Sequence, residues 1–115
     1  MLKLSDYHWI NIGFQIPILK ASGSLSGRLH RLLGEVFAKT EALRNQFQEE
    51  FDKDLLEAGS PAIMSEKWLE VNISVSDSFK QTSSSLDVPA MKAEWFDDVQ
   101  FAPGQYEIFK PLFQP

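Results

Sequence analysis

The sequence predicts an α+β domain in two layers: one long amphipathic helix packed on a small, mainly antiparallel sheet, in the order β-α-β-β-β. Three observations carry this expectation. Residues 25–58 repeat apolar side chains at spacings of three and four. Residues 7–19 and 68–76 alternate at period two. The chain has 115 residues, which suits a single domain over residues 1–115 and leaves no room for two ordinary ones.

Taken in order, residues 7–19 read as a strand. Ile10, Ile12, Phe14, Ile16 and Ile18 fall on one side, with Trp9, Asn11, Gly13, Gln15 and Pro17 between them. Pro17 lacks an N–H and fits a sheet edge or a strand end. The stretch 21–27 is a Gly/Ser turn, in which Ser24 or Ser26 suits a helix N-cap. The helix expected over 25–58 would be about 50 Å long. A compact domain of this size has no need of such a length, so a break at Gly34 or a projecting end is expected. Gly59 stands where a C′ glycine belongs, and Ser60-Pro61 stops the helix.

Residues 61–67 have room for one helical turn. Leu69, Val71, Ile73 and Val75 then define one face of a second strand. Residues 77–90 form a polar loop, and 92–101 read as a third strand with an irregularity at Asp97-Asp98. Pro103-Gly104 suits a type II turn, and residues 105–109 would close a hairpin. No internal repeat, low-complexity block or linker interrupts the chain.

Composition narrows the function classes. Eleven Lys and Arg stand against 16 Asp and Glu, for a net charge of −5 and a pI near 4.9. Nonspecific nucleic-acid binding rests on clustered cations, so this balance argues against direct nucleic-acid contact. The absence of cysteine excludes disulfides, thiolate metal sites and a Cys nucleophile, and it points to a reducing, cytoplasmic setting. Asn11, Gln15 and Pro17 interrupt the apolar stretch 9–19, so neither a signal peptide nor a membrane span is expected.

Few motifs suggest catalysis or cofactor binding. There is no HExxH and no His pair at metal spacing for His8 and His30. GSLSGR lacks the Lys-Ser/Thr ending of a phosphate-binding loop. Glu94 with Asp97 or Asp98 is the nearest approach to a paired-carboxylate site, and such acids ordinarily line a loop or sheet edge. No GxSxG elbow occurs. The expectation is a protein without enzymatic activity, metal or cofactor, and none of these motifs identifies a family.

Two features remain. The expected helix starts with Arg28, His30 and Arg31 and ends with Glu49, Glu50, Asp52, Asp54 and Glu57, signs opposite to those its dipole favours. A solvated face is the ordinary meaning of such charge. The functional alternatives are a docking patch at Glu49, Glu50, Asp52 and Asp54, and an anion site at Ser26, Arg28 and Arg31. The second feature is aromatic. Trp9, Trp68 and Trp95 each neighbour an apolar residue on an expected strand, so one of each pair faces away from a one-sided core. The loop 77–90 and the C-terminal tail could cover them, or they could anchor a partner.

These observations favour a non-catalytic protein-binding module: a small subunit, adaptor or inhibitor docking on a protein with a basic surface. Trp9, Trp68 and Trp95 would be its anchors. A structural homo-oligomer, joined along the partial heptad seam 29, 33, 36, 40, 43 and 47 or through added strands, is the first alternative. A small enzyme or phosphate binder at Arg28 and Arg31 is the second.

Overall fold

The computed structural model describes residues 1–114. Its elements are β1 (Leu2–Ser5), α1 (Asp6–Ala21), α2 (Gly27–Lys39), α3 (Glu41–Glu57), α4 (Glu66–Lys80), β2 (Ser83–Leu86), β3 (Met91–Lys92), α5 (Gln105–Phe109) and β4 (Phe113–Gln114). Short 3-10 turns cover Ala93–Phe96 and Lys110–Leu112. Helices thus combine with a small antiparallel sheet, β1 on β2, in register Leu2 with Leu86 through Ser5 with Ser83. A two-residue parallel bridge joins β3 to β4. The α+β class holds at this level, but the chain does not run β-α-β-β-β.

The segments 7–19 and 68–76, expected as strands, are α1 and α4. Their starts explain why. Ser5 accepts a hydrogen bond from the His8 backbone N–H at 3.1 Å, and Ser65 accepts one from that of Trp68 at 3.2 Å. Asp6 and Glu66 follow in the first turns, where the helix dipole favours negative charge. Ser26 caps α2 in the same way, through the Leu29 N–H at 3.3 Å. A serine cap stabilises a helix by about 1 kcal/mol.

Helix α1 lies between two apolar clusters. Trp9, Ile12, Ile16 and Leu19 meet Leu29, Leu33 and Val36 of α2, together with Met91, Phe96, Phe109 and Leu112 of the C-terminal segment. Ile10 joins Phe47 and Phe51 of α3 and Val71, Val75 and Phe79 of α4. A helix covered on more than one side has apolar residues nearly all round. Its sequence therefore lacks the 3.6-residue stripe, and the alternation of isoleucines imitates a strand. In α4 the pairs Val71/Val75 and Leu69/Ile73 are each four apart. The first pair is buried and the second exposed, whereas a strand would place all four on one face.

The expected long helix is two helices. The break falls at Thr40, not at Gly34, which stays inside α2. The Thr40 hydroxyl donates to the Phe37 carbonyl at 3.0 Å, and Arg44 Nη2 donates to the same oxygen at 2.8 Å. Side chains thus satisfy an acceptor that the helical ladder would otherwise use. Arg44 Nε also donates to Thr40 Oγ1 at 3.2 Å, and its guanidinium lies 3.7 Å from the centre of the Phe37 ring. Burial lowers the Arg44 pKa from its ordinary value, while Glu41 pulls it back up. Into this joint comes α1 at Gly13. A Cβ there would stand 2.5 Å from Thr40 Oγ1 and 2.6 Å from Arg44 Cδ.

The C-terminal third is tied to α1 by polar side chains. Trp9 Nε1 donates to the Ser84 carbonyl at 2.9 Å, and His8 Nε2 donates to the Ile108 carbonyl at 2.9 Å. The buried Asp6 carboxylate accepts from the Ser84 hydroxyl at 2.5 Å and also from the Thr82 hydroxyl. Gln105 donates to Gln15 at 3.1 Å. Gly104 has φ +81°, as the expected type II turn requires. However, the turn leads into α5 rather than a hairpin strand. The expected strand over 92–101 is a 3-10 turn followed by irregular chain.

Two stability measurements follow. Gly13→Ala should destabilise the protein by about 1–3 kcal/mol through overpacking, although alanine is the better helix former by about 1 kcal/mol; urea unfolding no weaker than wild type would refute the close approach. Asp6→Ala should cost about 1.5–3 kcal/mol, since hydrogen bonds to a charged acceptor are lost. An unchanged urea midpoint would show that the carboxylate does not hold Thr82 and Ser84.

Candidate functional site

Helices α3 and α4 form an antiparallel hairpin, in which Phe51 meets Trp68 edge-on at 5.3 Å and Phe47 meets Phe79 at 5.5 Å. The turn between them begins with a Schellman closure. Ser60 N–H donates to the Leu55 carbonyl at 2.9 Å, Gly59 N–H donates to the Leu56 carbonyl at 3.1 Å, and Gly59 takes φ +87°. Ser60 and Met64 are left-handed too, at φ +53° and +67°. The turn leaves three large apolar residues in water: Leu56 at 73% exposure, Ile63 at 80% and Met64 at 65%.

Two open depressions adjoin this tip. One, of about 370 Å³, lies among Asp52, Leu55, Leu56, Pro61, Ile63 and Trp68. The other, of about 360 Å³, opens between α1, α3 and α4, with Tyr7, Phe14, Phe47, Phe51 and Trp68 as its apolar walls. Asn11, Gln48 and Asn72 also line it. Trp68 lines both, where the groove between α1, α3 and α4 borders the tip depression. Among the described residues Asp52 is the only charged side chain lining either depression, and Gln48 donates to it at 2.9 Å.

The sequence-predicted residues are not all brought together. Trp9 is fully buried, with its indole N–H on Ser84, and cannot anchor a partner. Its segment is a helix facing two clusters, not a strand with a bare side. Trp95 is half-buried against the α2 cluster, and the Arg28 guanidinium lies 4.6 Å from its ring centre. Trp68 alone of the three borders the groove. The acidic run is also divided. Successive residues rotate by about 100° around a helix, so the run does not share one face: Asp52 lines the tip depression, while Glu49 is exposed and lines neither. Glu50 instead lines a depression with Asp6 and Thr82, and Asp54 one with Lys67 and Glu70.

At the start of α2 the Ser26 hydroxyl is engaged in capping and Arg28 in stacking on Trp95, while Arg31 is exposed. The heptad seam has likewise been used internally, since Leu29, Leu33, Val36, Thr40 and Phe47 are all buried. Glu94, Asp97 and Asp98 are exposed, with Glu94 4.0 Å from Lys92. Among the described residues no group of three His, Asp or Glu side chains could hold a metal ion, and no helix is long and apolar enough to cross a membrane.

The residues that sequence reasoning missed are Leu56, Ile63, Met64 and Phe14. A signal existed for the first three: apolar residues flanking Gly59-Ser60-Pro61, where a turn was already expected. Phe14 became visible as a surface residue only once α1 was known to be a helix. No family model matches the chain, no curated protein matches it, and no solved structure matches its fold.

Because Leu56 and Ile63 touch water more than protein, Leu56→Ser and Ile63→Ser should each change stability by no more than about 0.5 kcal/mol. A thermal or urea shift well beyond that would place these side chains in the core instead.

Proposed function

We propose that this protein is a non-catalytic protein-binding module, a small subunit, adaptor or inhibitor that docks on a larger protein through the α3–α4 tip and its groove. One observation carries the reading: Leu56, Ile63 and Met64 are exposed at a turn, and Leu56 and Ile63 line a depression together with Trp68, which also borders the groove walled by Phe14, Phe47 and Phe51. A cluster of exposed large apolar residues is uncommon on a protein surface without a partner, and aromatic residues supply much of the binding energy at interfaces.

The chain's net charge of −5 supports a partner with a basic surface. Such complementarity acts mainly on encounter rate and partner choice. Of the anchors expected from sequence, Trp68 stays in this proposal with Asp52 lining the same depression; Trp9, Trp95, Glu50 and Asp54 lie elsewhere, and Glu49 lines neither depression. The cysteine-free composition supports a cytoplasmic setting.

Photocrosslinking in the native host tests this. A benzoylphenylalanine at position 63 should give a discrete adduct heavier than a dimer of this chain, and the same group at the exposed Lys92 should not. Equal labelling from both positions, or none from 63, would overturn the proposal.

A further inference from the structure

Rows of side chains line the groove. Tyr7, Asn11 and Phe14 lie at spacings of four and three on α1, and Trp68, Asn72 and Ser76 lie four apart on α4. On the α3 side, Phe47, Phe51 and Leu55 are four apart, as are Gln48, Asp52 and Leu56. Each row follows a helix surface ridge, and the space between such ridges is the shape into which the ridge of another helix fits. The α3 stretch from Phe47 to Leu56 is about 14 Å long, or two and a half helical turns. Among the described residues no lysine or arginine lines either depression, while Asp52 lines the one at the tip.

Resting on the docking proposal above, we infer that the groove takes one amphipathic helix of the partner. Its apolar residues recur at i, i+3 or i+4, and i+7, with lysine or arginine flanking them on the side that meets Asp52. The apolar stripe would sit on Phe14, Phe47, Phe51 and Trp68 and end against Leu56 and Ile63. This is the helix-in-groove mode of recognition, in which apolar anchors supply affinity and flanking charge selects the partner. A second copy of this chain is the poorer occupant. Its own groove and tip offer Asp52 no lysine or arginine to pair with, and charge matching is what selects a partner.

Two synthetic 14-residue helical peptides make the test, with leucine at positions 1, 4, 8 and 11 in both. One carries lysine and the other glutamate at the remaining exposed positions. Each is titrated into the full-length, 15N-labelled protein. The lysine peptide should shift the Trp68 indole N–H and the side-chain amides of Asn11 and Asn72 saturably, and bind at least tenfold more tightly than the glutamate peptide. The exposed-site double variant Leu56→Ser/Ile63→Ser should weaken it at least tenfold without unfolding. Asp52→Lys should shrink the preference between peptides at least threefold.

Equal binding of both peptides, shifts confined to the Glu50–Asp54 flank, or a double variant that binds unchanged would overturn the inference. So would shifts at Trp68 that appear on concentrating the protein alone, which would give the groove to a second copy. A heavy crosslinked adduct from position 63 with no lysine-peptide binding would leave the docking proposal standing and remove the basic helix. Peptide binding without any adduct would overturn the docking proposal and, with it, the assignment of the groove to a partner helix.

Discussion

At Gly13 the backbone of α1 comes against the joint between α2 and α3 with no side chain to keep them apart. The rest of the arrangement depends on that approach. Thr40 and Arg44 turn the chain there by satisfying the Phe37 carbonyl from outside the ladder. The turn lets α2 cover one side of α1 and α3 another. Without it, residues 27–57 would form a single rod able to follow only one side, and the second cluster around Phe47 and Phe51 could not close on Ile10.

The same central helix governs the polar contacts. Asp6, His8, Trp9 and Gln15 each bond a residue more than 70 positions away. The C-terminal segment, with little regular structure of its own, is thereby held to one half of the molecule. It completes the cluster around Phe96 and Phe109 and leaves the α3–α4 end uncovered. The molecule is elongated, with extents of 46 × 28 × 20 Å.

The sequence was most legible where packing is one-sided. The helical character of 25–58, though not its division at Thr40, and the glycine closure at 59 could be read from spacing and composition because the buried residues of α2 all enter one cluster and those of α3 the other. Segments 7–19 and 68–76 were misread for different reasons. Helix α1 is apolar on several sides, which erases its period. Helix α4 has isoleucine and leucine on its exposed face, so two rows four apart looked like one row two apart. In both, the decisive local signal was a serine followed by an acid, Ser5-Asp6 and Ser65-Glu66, which marks a helix start whatever the apolar pattern says. Of the candidate site, Trp68 and Asp52 were visible beforehand. The exposed tip was not, because burial of Leu56 or Ile63 depends on what the C-terminal segment reaches.

Ser60 and Met64 hold backbone conformations that side-chain-bearing residues enter at a cost of about 1–3 kcal/mol each. They persist because the Schellman hydrogen bonds and the flanking helices fix the turn. The tip therefore takes its shape before anything meets it. A partner arriving there need not freeze a wandering loop, so less of its contact energy is consumed by ordering. The hydrogen bonds that outweigh this strain, from Ser60 to Leu55, Gly59 to Leu56 and Ser65 to Ala62, give this end of the molecule the character of a die rather than a soft pad.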